Sequence, residues 1–150
     1  MENIVEKLQR EEIIIASTKK RTLAFIIDDI IVSLLFFAIY YDSFMSASDD
    51  FIALQSKIAS FTWQLIILRV IYQTFFVWRY GATLGKIALK IRCLDENMLD
   101  TPNLSKAFLR AAMRVLSETC FYLGFAWAFG NEARQTWHDK IARTIVCETK

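Results

Sequence analysis

The sequence predicts an all-α membrane protein, a small multi-spanning helical bundle. Two transmembrane helices are clear in it, and a third hydrophobic segment reads as re-entrant or split. A short cytoplasmic β-ribbon and interfacial helices complete the expectation. Three observations carry this reading. The hydrophobic fraction is 55% without counting glycine, above the roughly 45–50% usual for soluble domains, and mean hydropathy is +0.30. Three apolar stretches each approach the ~20 residues that cross a bilayer as a helix. Only four Gly and one Pro occur, which disfavours a turn-rich all-β chain. At 150 residues the chain holds one domain rather than two, so 1–150 is read as a single membrane domain. Eighteen basic and sixteen acidic side chains leave a net charge of +2, which gives no basic field for nucleic acid.

Residues 1–19 form an N-terminal segment in which Glu2, Glu6, Glu11 and Glu12 precede any long apolar run. It has neither the basic n-region nor the cleavage site of a signal peptide. The first stretch, Thr22–Tyr41, holds twelve Leu, Ile, Phe or Val, contributing about −4 to −7 kcal/mol to insertion. Its central Asp28 and Asp29 oppose this by about +5 to +7 kcal/mol. Insertion therefore requires polar partners from neighbouring helices, a protonated Asp, or an off-centre position nearer the headgroups. The second stretch runs from Ile58 to Trp78 and carries Arg69; the third, Ala107 to Phe129, carries Arg110, Arg114 and Glu118.

Loop charges orient these segments. The 42–57 loop is acidic, with Asp42, Asp49 and Asp50 against Lys57, whereas 79–106 carries Arg79, Lys86, Lys90, Arg92 and Lys106. The positive-inside rule places the N-terminus and the 79–106 loop in the cytoplasm. A full crossing by 107–129 would put Arg134, Lys140, Arg143 and Lys150 outside, against that rule. A helix broken near Ser117, Thr119 or Gly124 that dips and returns keeps them inside, and is the form the charges favour. Residues 89–94 and 143–148 read as extended runs that would then pair as the cytoplasmic ribbon, joined by Ile13–Ile15.

Cys93, Cys120 and Cys147 form no CxxC pair, and His138 is the only histidine, so neither a zinc site nor a disulfide scaffold is expected. No metal and no cofactor is expected. The charged residues in the apolar stretches form one expected polar cluster: Asp28, Asp29 and Glu118 against Arg69, Arg110 and Arg114. An antiparallel second helix brings Arg69 to the depth of Asp28 and Asp29, and Arg110, Arg114 and Glu118 share one helical face. These charges either neutralise one another and lock the helices together, or leave one carboxylate to bind a proton or monovalent cation. Asp28 and Asp29 point about 100° apart, so one of them is the better ligand.

Gly81-Ala82-Thr83-Leu84-Gly85-Lys86 superficially suggests a phosphate loop, but the glycines are one residue too close and Ile87 stands where Ser or Thr should be. The preferred reading is a helix stop at Gly81, an N-cap at Thr83 and a short interfacial helix whose Lys86 and Lys90 meet headgroups. His138–Asp139 has no nucleophile placed beside it; Asp139 is expected to cap a helix or hold Lys86 or Arg21. No enzymatic activity is expected.

Three separated motifs now stand in order: RTLAFIIDD at the head of the first span, GATLGKIALKIRCLDEN at 81–97, and RQTWHDKIARTIV at 134–146. Over residues 20–148 the chain resembles the RDD family of bacterial membrane proteins, named for one arginine and two aspartates. The resemblance assigns these to Arg21, Asp28 and Asp139. It makes Gly81, Thr83, Gly85 and Lys86 the loop motif, and His138, Asp139 and Thr144 the tail motif. Ala88 and Lys90 stand where the family often has Leu and Gly, and Arg143 where it commonly has Gly. The resemblance implies a multi-pass protein of the bacterial cytoplasmic (inner) membrane, with transport the usual suggestion. Two functions follow: movement of a small ion or solute through the polar cluster, as a homo-oligomer because three short spans enclose little volume, or a non-transporting assembly, scaffold or lipid-interacting factor.

Overall fold

Ser17 opens the first long helix by accepting a hydrogen bond from Lys20 N at 3.3 Å, which satisfies one of the helix's free N-terminal donors. The computed structural model describes residues 4–46, 51–119, 130 and 135–149. In chain order the helices are α1 (Ile4–Arg10), α2 (Thr18–Ile39), α3 (Tyr41–Met45), α4 (Phe51–Ser60), α5 (Thr62–Tyr80), α6 (Leu84–Ala88), α7 (Leu104–Thr119) and α8 (Trp137–Ile141). Two strands, β1 (Ile91–Asp95) and β2 (Thr144–Glu148), accompany them among the described residues.

The helical prediction holds, with corrected bounds. α2 begins four residues before the expected Thr22, and the acidic segment expected as a loop is largely helical, forming α3 and α4. α4 meets α5 at a 44° bend around Phe61. Of the described helices, α2 alone is long and apolar enough to cross a membrane, and α4 with α5 meets the same test as one bent span. The third stretch is described as far as Thr119, as α7 (Leu104–Thr119). Cys120, Gly124 and the expected return of the chain over 120–129 lie outside the described residues.

The helix pair is apolar on its outer faces and buries Asp28 and Gln73 among apolar side chains inside. α2 buries Ala24, Asp28, Val32 and Phe36, a stripe at four-residue spacing, and turns Leu23, Ile26, Ile30 and Leu34 outward. α5 buries Gln73 and Val77 while Trp63, Ile67, Ile71 and Phe75 are exposed. A soluble helix has the reverse pattern. At the end away from the sheet, Phe36, Tyr40, Phe44 and Phe61 pack together, with Tyr40 and Phe61 ring centroids 4.6 Å apart.

At the other end the expected ribbon forms. β1 and β2 pair antiparallel with Cys93 opposite Val146, and Ile15 bridges to Cys147. One face puts Ile91, Cys93 and Val146 against Ala16, Ala24 and Val77 of the helix ends. The other packs Leu94, Ile145 and Cys147 under Leu8 of α1. The ribbon and the short helices around it thus cap the helix pair.

The cap contains the same unit twice. Thr83 and Thr136 are N-caps, α6 and α8 are five residues each, and after two connecting residues β1 and β2 begin. The second connecting residue is left-handed in both units, Lys90 at φ 54° and Arg143 at φ 49°. These are the positions where the resembled family tends to have glycine, the residue that adopts this backbone without a Cβ penalty.

Candidate functional site

Three charged residues of α2, Arg21, Asp28 and Asp29, each reach a different part of the molecule. Arg21, one turn into the helix, forms an ion pair with Asp139 of α8 (Nη1 to Oδ2, 3.0 Å) and donates to Val146 O of β2 at 3.1 Å. Asp139 meets a second arginine, Arg110 of α7, at 2.7 Å, and accepts from Thr136 N at 3.1 Å as the carboxylate arm of a capping box. Arg110 also donates to Thr144 Oγ1 at 2.9 Å. Burial alone would raise the Asp139 pKa, but Arg110, with Arg21 behind it, holds the carboxyl well below the usual range. The expectation that Asp139 caps a helix and holds Arg21 is met; its partner beyond that is Arg110, not Lys86.

Two turns further on, Asp28 is 3% exposed. Its carboxylate accepts from Tyr72 Oη at 2.8 Å, Thr83 Oγ1 at 2.5 Å and Gly85 N at 2.8 Å. The loop motif is therefore a clamp on Asp28. Gly81 terminates α5 in the left-handed conformation at φ 69°, as expected. Thr83 stands at the N-cap of α6, but its hydroxyl serves Asp28 rather than the helix. Gly85 is required by proximity: a β-carbon there would lie 2.3 Å from the Ala24 carbonyl oxygen. Lys86 departs from expectation. It is 7% exposed rather than among headgroups, and its ammonium donates to Cys93 Sγ at 3.2 Å. Burial pushes the Lys86 pKa down, and Arg110 adds to the effect. Lys90 is exposed.

Asp29, the next residue, points away from Asp28 and pairs with Arg69 of α5. Arg69 also meets Glu118 at 3.1 Å, and Glu118 accepts from Arg114 Nε at 3.0 Å. Arg114 donates to Gln73 Oε1 at 3.1 Å and lies 4.6 Å over the Phe25 ring. The single cluster expected from the sequence is thus divided. Asp29, Arg69, Arg114 and Glu118 stay together, Arg110 joins Asp139 instead, and Asp28 is held by uncharged donors. Arg69 bridges Asp29 and Glu118, not Asp28.

His138 is buried, with Nε2 2.9 Å from Thr136 Oγ1. Burial, reinforced by Arg110, lowers its pKa well below the ordinary value. Tyr72, Gln73 and Gln135, which donates to Glu96 and to Thr144 O, were not singled out by sequence reasoning. A signal for the first two existed, because Arg69, Tyr72 and Gln73 fall at i, i+3 and i+4 and so share a face. No grouping of His, Cys, Asp and Glu able to hold a metal occurs among the described residues.

Two cavities flank Asp28 and Arg114, which line both. One of about 20 Å³ lies toward Asp29, Arg69 and Glu118; the other, of about 80 Å³, lies toward Arg21, Lys86, Arg110 and Asp139.

Helices with apolar outer faces, fastened by buried charges to a two-stranded cap, suggest a membrane-type helical protein. The chain belongs to the RDD family, whose model matches residues 15–143, a membrane-associated family of unknown function. No curated protein and no solved structure matches it.

Proposed function

We propose that the chain is a non-transporting, multi-pass membrane factor whose signature charges fasten a cytoplasmic cap onto its membrane helices. One observation carries this reading: Asp28 is saturated by three protein donors from α5 and the loop motif. A carboxylate that loads and releases a cation needs exchangeable partners, and a backbone N–H at 2.8 Å is a fixed one. The cap supports the topology as well. Ile15, β1 and β2 are joined by hydrogen bonds, so the N-terminal segment, the 81–103 loop and the C-terminal segment share one side of the membrane. The positive-inside rule makes that side cytoplasmic, in the bacterial inner membrane. α2 and the bent α4–α5 pair are then the two spans. No chemistry is assigned to His138, whose imidazole is spent on Thr136.

A second reading, passage of a proton or monovalent cation past Asp28, is favoured by the two cavities that meet there. Four cationic side chains around the larger cavity, Arg21, Lys86, Arg110 and Arg114, oppose a metal cation's approach from that side. Proteoliposome flux of protons, Na⁺ and K⁺, measured for wild type and Asp28→Asn, separates the two. The expected result is wild-type flux equal to protein-free vesicles and a lowered unfolding temperature for Asp28→Asn. Flux above that baseline, abolished in a folded Asp28→Asn protein, would overturn the proposal.

A further inference from the structure

The cavity beside Asp139 has a charge imbalance that the fastening role does not use. Four cationic side chains line it, Arg21, Lys86, Arg110 and Arg114, against the carboxylates of Asp28 and Asp139. Asp139 is shared by Arg21 and Arg110, Asp28 is occupied by its three donors, and Arg114 is met by Glu118 outside the cavity. This leaves Lys86. Its amino group is buried, its contact is Cys93 Sγ at 3.2 Å, and no carboxylate lies within ion-pair distance of it among the described residues. Arg110, 2% exposed, keeps a buried Nε–H with no acceptor among the described residues. A buried polar group short of partners is costly, and here both line one cavity.

We propose that this cavity is an anion site for a phosphate group, either an anionic lipid headgroup or free phosphate, held by Lys86, Arg110 and Arg21. Its volume of about 80 Å³ equals roughly two to three waters, which suits a tetrahedral oxyanion and excludes a nucleotide. Thr18 and Arg21, on the first turn of α2, line the same cavity, and the free N–H groups of a helix start favour negative charge. That turn lies at the depth where basic side chains meet headgroups. The duplicated cap unit sharpens the point: Lys86 occupies in the first unit the place that Asp139 occupies in the second. Asp139 has two arginine partners, whereas Lys86 has no carboxylate within ion-pair distance among the described residues. The site deepens the lipid-interacting reading and rests on it only for the membrane source of the phosphate.

The test is thermal unfolding of the purified full chain, followed by tryptophan fluorescence, in two arms. In detergent, inorganic phosphate is compared with chloride at matched ionic strength. In nanodiscs, phosphatidylcholine alone is compared with phosphatidylcholine containing phosphatidic acid. The expected result is a higher unfolding temperature in at least one arm; response to soluble phosphate alone assigns a free anion, and response to the lipid assigns a headgroup. Lys86→Met should fold, since it removes a buried charge, and should weaken apparent affinity about tenfold or more, the loss of one charge-assisted hydrogen bond. No stabilisation beyond chloride and phosphatidylcholine in wild type would overturn the proposal, as would an undiminished response in Lys86→Met. The flux measurement on Asp28→Asn tests the fastening role separately, so either can fail alone.

Discussion

Gly85→Ala tests the closest approach in the fold. An added β-carbon would stand 2.3 Å from the Ala24 carbonyl oxygen and 3.0 Å from both Cγ and Oδ1 of Asp28. No rotamer change relieves the first contact, because that oxygen belongs to the α2 backbone. α6 must move away from α2. Overpacking of this kind costs about 1–3 kcal/mol. The same movement lengthens the 2.8 Å bond from Gly85 N to Asp28, and a hydrogen bond to a charged group contributes about 1.5–3 kcal/mol. The combined loss is about 3–5 kcal/mol, and a chain of this size loses about 2–4 °C of Tm per kcal/mol. The expected fall is therefore about 6–20 °C in detergent, read by circular dichroism, with Gly130→Ala as the control. A β-carbon at 130 meets nothing within 4 Å, so that variant should be neutral. A Gly85→Ala protein melting with the wild type would refute the clamp between α6 and Asp28.

Three further outcomes are expected. Lys90→Gly and Arg143→Gly each relieve a left-handed backbone, at φ 54° and 49°, and should stabilise by about 0.5–1 kcal/mol after the extra entropy of glycine is counted; a loss in chemical-denaturation midpoint for both would contradict the backbone assignment. Arg69→Leu leaves Asp29 without its pair while Glu118 keeps Arg114, and should cost about 1–3 kcal/mol, part of which Arg69→Leu with Asp29→Leu recovers while Arg69→Leu with Asp28→Leu does not; additive losses in the first pair would refute the ion pair. His138 has a folded pKa depressed by burial, so its contribution is intact above its unfolded value near 6.5 and is lost as pH falls below that. Between pH 6.5 and 5 the loss is at most about 2 kcal/mol, and His138→Gln should flatten the wild-type decline in unfolding temperature over that interval.

The helices were legible because their apolar content is a local property, and the ribbon because two short extended runs followed similar helical motifs. Gly81 was legible too, since a glycine ending an apolar helix signals the left-handed cap directly. Partner choice was not. Spacing on one helix puts Arg110, Arg114 and Glu118 on one face, yet Arg110 sits one turn nearer the cap and finds Asp139 across the chain, while Arg114 finds Glu118. Lys86 read as an interfacial residue because it follows Gly85 in a basic loop. Only the close packing of α6 on α2 that Gly85 permits turns it inward. Asp28 drew attention as a costly intramembrane charge, but the donors that offset the cost are two hydroxyls and a backbone N–H, which carry no charge for sequence reasoning to match.

Charge is an effective fastening at this place for a physical reason. Within lipid, apolar side chains gain little by touching one another rather than acyl chains, so hydrogen bonds and close packing must select the arrangement of helices. On α2 the selection is made at three successive depths. Arg21 takes the tail through Asp139 and Val146, Asp28 takes the loop through Thr83 and Gly85, and Asp29 takes α5 through Arg69, which Glu118 ties to α7. Sliding α2 by one turn, about 5.4 Å, would break all three connections at once and leave each charge without its partner. An alternative packing that satisfied one would strand the other two. Arg21 and Asp28 of the signature, with Asp139 as the partner of Arg21 and Asp29 beside them, thus specify a single register between the long helices and the cap. They can do so with no solute in transit.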